Sequence, residues 1–520
     1  MFRRFRGEIG IATAVATVVV VGALAGTPAR TTRGATHARA AELLVEGDAE
    51  LASEMYAELA AVDLGDVESR VGRVRSLLAL DRWREALEEA ERYAAALPDS
   101  PEIRTALGET YLRAGRFDEV EAIVAPVVAA IATTDREDIP DATLARALVA
   151  LGRLRDAEGR APIAAEYLNR ALELAPQDRY VIYEAAGAAP TREEIVARLE
   201  RYLGLSEGDD PDHIEAARGK IRFYGMLGER RLWVAEARPE RVELPLIPIG
   251  DGAGGVVGYA LDISIGSKKP VRLLLDTGST GLFLLHRIAK KRGFRPIAEE
   301  TVFGGGGKKR HASPRGLFSS VKIGGLSFRD ALATTTQREI DRTGRFHGLV
   351  GLSVFAGYQV LLDLDENLLV LDRSAPESTG GTPYWSVSGQ MLVRAATTAG
   401  GEGLFLFDTG ATRTAVSLDL ARHSTGTSLG QRLDIQGYGG TLENAREVHG
   451  LGVEFQGLET SGPGVNAADL SVRSRLGRVE ISGFVGLDLL AGRRIVVDTR
   501  AYRVEVSSPE RRGRKQRKSP

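Results

Sequence analysis

The stretch Leu273-Leu274-Leu275-Asp276-Thr277-Gly278-Ser279-Thr280 decides the fold, because it recurs as Leu404-Phe405-Leu406-Phe407-Asp408-Thr409-Gly410-Ala411-Thr412. Each copy is an apolar run ending in an Asp, which reads as a buried strand running into a tight turn. Glycine lets that turn bend and lets a bound backbone come close. An Asp after a strand is most often a turn residue or a helix cap, so one such tripeptide carries little. The surrounding repeat carries more. Gly348-Leu349-Val350-Gly351-Leu352 follows the first copy and Gly483-Phe484-Val485-Gly486-Leu487 the second, with Gly351 75 residues after Asp276 and Gly486 78 after Asp408. Gly351, Gly357 and Asp363 recur 135 residues later as Gly486, Gly492 and Asp498. An apolar strand pair closes each half, Val360 to Leu371 and Ile495 to Val506. One fold unit is written twice.

These motifs resemble those of the aspartic peptidases, which pair D-T-[GS]-[ST] with a later apolar-apolar-Gly strand. More narrowly, residues 240–507 resemble the bacterial retropepsin-like group with two copies fused in tandem. The resemblance implies an all-β, two-lobed fold, a peptide or protein substrate, no cofactor and no metal. It carries the catalytic pair onto Asp276 and Asp408, and the active-site loops onto Thr277, Gly278, Ser279, Thr280 and Thr409, Gly410, Ala411, Thr412. Thr277 and Thr409 are expected to brace the loops against each other. Ser279 is expected to bond an outer oxygen of Asp276, a service Ala411 cannot give Asp408. The chemistry supports the same pair: metal-free amide hydrolysis needs one group to take a proton from water and another to give one to the carbonyl oxygen. Two carboxyls held close share one proton and divide those roles.

Retropepsin-like sequences also carry a glycine-rich flap, which here falls on Gly305, Gly306 and Gly307 and, in the second half, on Gly437, Tyr438 and Gly439. Gly304 to Lys309 is not a phosphate loop, since no Gly stands five residues before Gly307 and no Ser or Thr follows Lys308. Tyr438 reads either as closing on a bound peptide or as an exposed turn tyrosine. Gly281 to Phe294 reads as a short helix, and Arg413 as an exposed cation of little influence.

The 520 residues imply several domains. The net charge of −2 argues against a nucleic-acid footprint over the chain. Zero cysteines exclude disulfides, thiolate metal sites and cysteine nucleophiles, and the seven His show no H-E-x-x-H spacing. Residues 1–30 read as a signal peptide or a membrane anchor. Arg3, Arg4 and Arg6 precede an uncharged run of 18 residues from Ile9 to Gly26, with small-residue cleavage options at Ala23-Leu24-Ala25 and Thr27-Pro28-Ala29. Cleavage, or a membrane tether through residues 9–26, both remain open. Either places the chain outside the cytoplasm, periplasmic or extracellular.

Residues 38–237 carry helical periodicity. Ala52, Ala86, Val120 and Ala164 stand 34, 34 and 44 residues apart, and Leu107-Gly108 and Leu151-Gly152 share a phase. This resembles the tetratricopeptide repeat, with the ten extra residues in a loop near 133–138. Helical pattern continues through Thr191–Leu205 and Pro211–Ala237. Beyond Ala237, Pro and Gly mark a boundary. The order expected is lobe 1 at 240–373, an inter-lobe linker at 374–389, lobe 2 at 390–507 and a basic disordered tail at 508–520. The fold class is multidomain α + β: an N-terminal α-helical solenoid, then the two-lobed β fold. The function expected is an exported, monomeric aspartic endopeptidase. Its repeats would engage a protein partner or substrate while the β domain alone cuts short peptides. The alternative is a catalytically inactive peptide-binding or scaffold protein of the cell envelope.

Overall fold

The computed structural model describes residues 36–508 apart from positions 64, 133–137, 304–309, 342, 434, 438, 439, 443 and 463. The expected signal or anchor at 1–30, the flap residues Gly305 to Gly307, Tyr438 and Gly439, most of the 133–138 loop and the tail beyond 508 lie outside the described residues. Among the described residues no helix is long and apolar enough to cross a membrane.

The first half is an array of helices in consecutive pairs, such as Pro101–Ala114 with Phe117–Ala129 and Asp141–Ala157 with Ala161–Leu174. Local chemistry sets the ends. Asp66, Ser100, Asp178, Thr191 and Asp210 accept backbone N–H groups at helix starts, and Gly115 closes a helix at φ 75°. The repeat anchors Ala52, Ala86, Val120 and Ala164 are all buried. Leu-Gly has a steric reason here: a Cβ on Gly152 would stand 2.8 Å from Leu168 Cγ, and one on Gly108 would collide with Val124. Arg75, Glu109, Arg146 and Asp178 join successive pairs in an ion chain at 2.8–3.0 Å. The array curls back on itself, with Arg179 Nη1 donating to the Val45 carbonyl at 2.9 Å and to that of Glu207 at 2.8 Å. The last helix ends at Leu227, not at Ala237 as periodicity suggests. Gly228 turns at φ 56°, and Val234–Ala237 is instead a strand paired with Leu326–Arg329.

In the β half, each D-T-G strand is central in its lobe. Val271–Leu275 lies parallel to Gly348–Val350, which runs antiparallel to Leu282–Leu285. Glu402–Phe407, Gly483–Val485 and Ala415–Ser417 repeat that arrangement. Gly351 and Gly486 are required because a Cβ there would collide with the first and second active-site loops respectively. The helix expected over 281–294 is split: Leu282–Leu285 is a strand, and only His286–Lys291 is helical. Its four apolar residues bridge two neighbouring strands, so the ladder outweighs helical propensity.

A third, antiparallel sheet is shared by both halves, in the order Arg241–Pro245, Leu368–Asp372, Gln359–Asp363, Arg494–Asp498, Arg503–Ser507, Thr382–Val387. Its central register pairs Val360 with Val497 and Leu361 with Val496. Leu361 and Val496 are equivalent positions of the two copies, so the pseudo-twofold axis passes between them. Residues 382–387, expected to be linker, are a strand of this sheet. Tyr384 and Trp385 are buried there, which shortens the free connection.

The helices and the second lobe share one hydrophobic core. Leu112, Phe117, Val120 and Leu151 pack with Trp385, Leu392, Leu404, Leu406 and Phe484, and the Phe117 and Trp385 rings meet edge-on at 5.3 Å. Arg113 Nη1 donates to Glu480 Oε2 at 3.1 Å in the buried seam. Arg84 pairs with Asp419 at 2.7 Å and Arg475 with Asp212 at 2.6 Å. The helical array is therefore the cover of the second lobe's outer face, and the β domain is not self-contained. Cutting the chain near Pro239 leaves that apolar face in water, so a fragment 239–520 is expected to precipitate or bind a hydrophobic dye. Phe117→Ala in the full chain is expected to cost about 3–5 kcal/mol, read as a lower unfolding midpoint shared by helical and strand signals. Separate transitions, with only the helical one shifted, would show that the domains do not share a core.

Candidate active site

The two Asp-Thr-Gly turns meet at the pseudo-twofold axis. Thr277 Oγ1 donates to the Phe407 carbonyl at 2.6 Å, and Thr409 Oγ1 donates to the Leu275 carbonyl at 2.9 Å. Each hydroxyl also accepts the other threonine's backbone N–H, at 3.2 Å from Thr277 and 3.0 Å from Thr409. Both threonines are buried. The four bonds fasten the end of one core strand to the end of the other. Backbone bonds from Asp276 N to Val350 O and from Asp408 N to Val485 O, both 3.0 Å, fix each turn to its own lobe.

This exchange sets each carboxyl against the opposite loop. A Cβ on Gly278 would stand 2.7 Å from Asp408 Cγ, and one on Gly410 2.7 Å from Asp276 Cγ. The glycines are thus an absence of side chain that lets the two carboxyls face each other. Around them the loops differ. Asp408 Oδ1 accepts the N–H groups of Gly410 at 2.8 Å and Ala411 at 3.1 Å. Asp276 is 6% exposed, and its Oδ1 accepts no hydrogen bond. The expected bond from the Ser279 hydroxyl to Asp276 does not form; Ser279 N instead donates to the Asp276 carbonyl at 3.1 Å. Thr280 and Thr412 are exposed, and Thr280 lies against Gly389. Ser353 and Asp488, two residues after Gly351 and Gly486, tie each loop down. Gly281 N donates to Ser353 Oγ at 2.9 Å, and Thr414 Oγ1 to Asp488 Oδ1 at 2.6 Å.

Burial first, and then the facing charge of Asp408, push the Asp276 carboxyl well above the ordinary carboxylate range. Burial also raises Asp408, against the bonds it accepts. The pair therefore holds one proton over a wide pH range, and Asp276 is its principal seat. Arg413 is exposed. The cation that matters is Arg473, on the helix Ser471–Gly477, whose charge pulls both carboxyls down. Nothing in the sequence around Arg473 announces it, because no repeat of the first lobe falls there. Gln390, equally silent in sequence, donates from Nε2 to the Gly278 carbonyl at 2.7 Å. Of the expected flap positions, Gly437 ends the strand Ile435–Gly437, which pairs with Gly440–Leu442.

Thr409→Val removes the donor to the Leu275 carbonyl and the acceptor for Thr277 N–H, leaving two buried backbone groups unpaired. The expected loss of stability is about 1–3 kcal/mol for each group, measured by denaturant unfolding. A change within about 0.5 kcal/mol would mean that water replaces the bonds. Asp276→Asn gives the opposite sign at neutral pH. A carboxyl whose folded pKa is raised above its unfolded value of about 3.9 withdraws stability as pH rises through that interval. The variant is therefore expected to melt above the parent at pH 7 and to lose that advantage as the pH falls towards 4. A variant melting below the parent at pH 7 would contradict a raised Asp276.

Comparison with known proteins follows the same division of the chain. Residues 261–354 match the aspartyl protease family model, and residues 77–137 match a tetratricopeptide repeat model. No curated protein matches in sequence. Among solved structures, the chain is similar to the aspartic proteinase from Irpex lacteus at 15% identity and TM-score 0.33, covering 52% of this chain and 98% of that one. It is similar to a retropepsin-like aspartic protease from Rickettsia conorii at 18% identity and TM-score 0.19, over 27% and 96%. A thermophilic TPR protein from Thermus thermophilus is matched at 16% identity and TM-score 0.28, over 35% and 96%. The chain thus joins a tetratricopeptide-like helical array to a two-lobed β domain of aspartic-peptidase fold.

Proposed function

We propose that this protein is an aspartic endopeptidase in which Asp276 and Asp408 of a single chain activate one water. The observation that carries this is the threonine exchange at the axis, which sets two buried carboxyls face to face, each on the other loop's glycine. A water held between them loses a proton to the ionised carboxylate of Asp408. The protonated Asp276 gives its proton to the carbonyl oxygen of the peptide as the water oxygen attacks the carbon. The tetrahedral diol collapses when the amide nitrogen takes up a proton and the C–N bond breaks, returning the pair to one shared proton. The stronger upward shift of Asp276 and the two N–H bonds to Asp408 support that division of roles. The helical array fits a role in engaging protein substrate, and the basic front and uncharged run of residues 1–30 support an exported location.

Because both aspartates come from one chain, a monomer is expected to be active. Asp276→Asn and Asp408→Asn are each expected to lower peptide cleavage by at least about 10³-fold, with parent activity per molecule unchanged from micromolar to nanomolar protein. Residual activity in one variant that vanishes on dilution would point to sites built between chains. The pH profile of kcat/KM should be a bell, its acid limb set by protonation of Asp408 and its alkaline limb by loss of the Asp276 proton. Binding of an unfolded protein without any cleavage between pH 3 and 8 would replace this reading with a peptide-binding module.

A further inference from the structure

A cavity of about 550 Å³ opens beside the dyad, and three parts of the chain wall it. The last helix of the array, Pro211–Leu227, contributes Phe223. The first lobe's hairpin, Arg295–Phe303 with Arg310–Phe318, contributes Ala298 and Arg315. The second lobe contributes Gln390, Leu392, Arg473 and Leu476. Gln390 ties it to the active-site turn through its bond to the Gly278 carbonyl. The cavity is mainly apolar, yet it holds an unbalanced cation. Asp212 is held by Arg475 at 2.6 Å and Glu215 by Arg222 at 2.8 Å. Arg315 stacks on Phe223 at 4.4 Å and Lys220 on Tyr183 at 5.2 Å, while Glu299 is exposed. Arg473 is half-buried and has no hydrogen bond or ion pair to any described residue. A guanidinium is rarely sheltered from water without an anion unless one arrives with a ligand.

We infer that this cavity is a specificity pocket, walled in part by the helical array, in which Arg473 receives a carboxylate of the bound peptide. The inference rests on the peptidase reading. The carboxylate is either the side chain of Asp or Glu near the cut bond or the peptide's own C-terminus. Both offer the planar anion that an Arg fork binds. The array thereby contributes to substrate choice at the reacting centre as well as to the second lobe's core.

The test uses the full chain and matched peptides with Glu or Gln at each position flanking a cut bond, each with a free or an amidated C-terminus. A charge-assisted hydrogen bond is worth about 1.5–3 kcal/mol, so one Glu peptide is expected to exceed its Gln partner about 10- to 100-fold in kcat/KM. If the C-terminus is the ligand, the free-acid peptide exceeds the amide instead. Arg473→Met should bring that ratio to about one, and Arg473→Lys should restore part of it. Gly219→Leu, where an added Cβ meets only Arg222 at 3.9 Å, should fill the cavity and raise KM with the unfolding midpoint kept. The inference is overturned if the parent shows no carboxylate preference, or if Arg473→Met slows every peptide equally with the ratio intact. Should the parent cut nothing, anisotropy of labelled Glu and Gln peptides on the Asp408→Asn chain decides the pocket separately. Selective, Arg473-dependent binding there would sustain the pocket and end the peptidase reading, and equal binding would end both.

Discussion

Everything at the centre of this molecule depends on two threonine hydroxyls that cross the pseudo-twofold axis. Each gives its proton to the carbonyl at the end of the opposite core strand and accepts the opposite backbone N–H. A hydroxyl is suited to this because it is donor and acceptor at once, and the buried setting makes each bond costly to lose. The exchange turns two separately folded strand ends into one rigid base. The antiparallel register of Leu361 on Val496 repeats the same symmetry in the shared sheet. The carboxyls are thus positioned by backbone groups from both lobes, with little left to side-chain freedom.

The helical array is bound into this frame by more than a tether. Trp385, Leu392, Leu404 and Phe484 belong to strands whose inner faces carry the site and whose outer faces would otherwise meet water. Phe117, Val120 and Leu151 cover them. Gly115 lies so close to the second lobe that a Cβ would stand 2.8 Å from Leu404. At the other end of the array, Phe223 and Leu227 pack on Ile297 and Leu317 of the first lobe's hairpin. The array touches both lobes, so displacement of the hairpin during substrate entry must be accommodated at the last helix. Repeats of this kind present surfaces to partner proteins, and here the first partner is the chain's own β domain.

The parts legible in sequence were those written as repetition. Asp276 and Asp408, the glycines at 351 and 486, and the closing strand pairs recur at fixed spacing because each lobe needs the same crossing of strands. The Leu-Gly pairs at 107–108 and 151–152 recur because neighbouring helices approach too closely there for a side chain. What recurs in neither lobe was not legible. Arg473 sits on a helix for which the first lobe has no counterpart, and Gln390 opens a strand just past the expected linker, where no motif marks it. Leu282–Leu285 and Val234–Ala237 were misread for another reason. Their neighbours in the sheet come from distant sequence, and local periodicity does not contain them.

The asymmetry between the two loops follows from what each carboxyl meets. In the second loop, Gly410 and Ala411 turn their N–H groups onto Asp408 Oδ1, which favours the ionised form. In the first, Asp276 is buried and its Oδ1 has no donor, which favours the neutral form. Ser279 in place of an alanine does not alter this, because its hydroxyl is not turned onto the carboxylate. The sequence difference that looks as though it should matter, Ser279 against Ala411, is therefore silent in this geometry. The backbone conformation of the turns separates the two acids. Arg473 then acts on both: its charge offsets part of the cost of burying an anion in the pair, while a carboxylate brought by a ligand would neutralise it. Occupancy of the pocket would raise the pKa values of the dyad and favour its protonated form, so substrate recognition and proton sharing are coupled through one guanidinium.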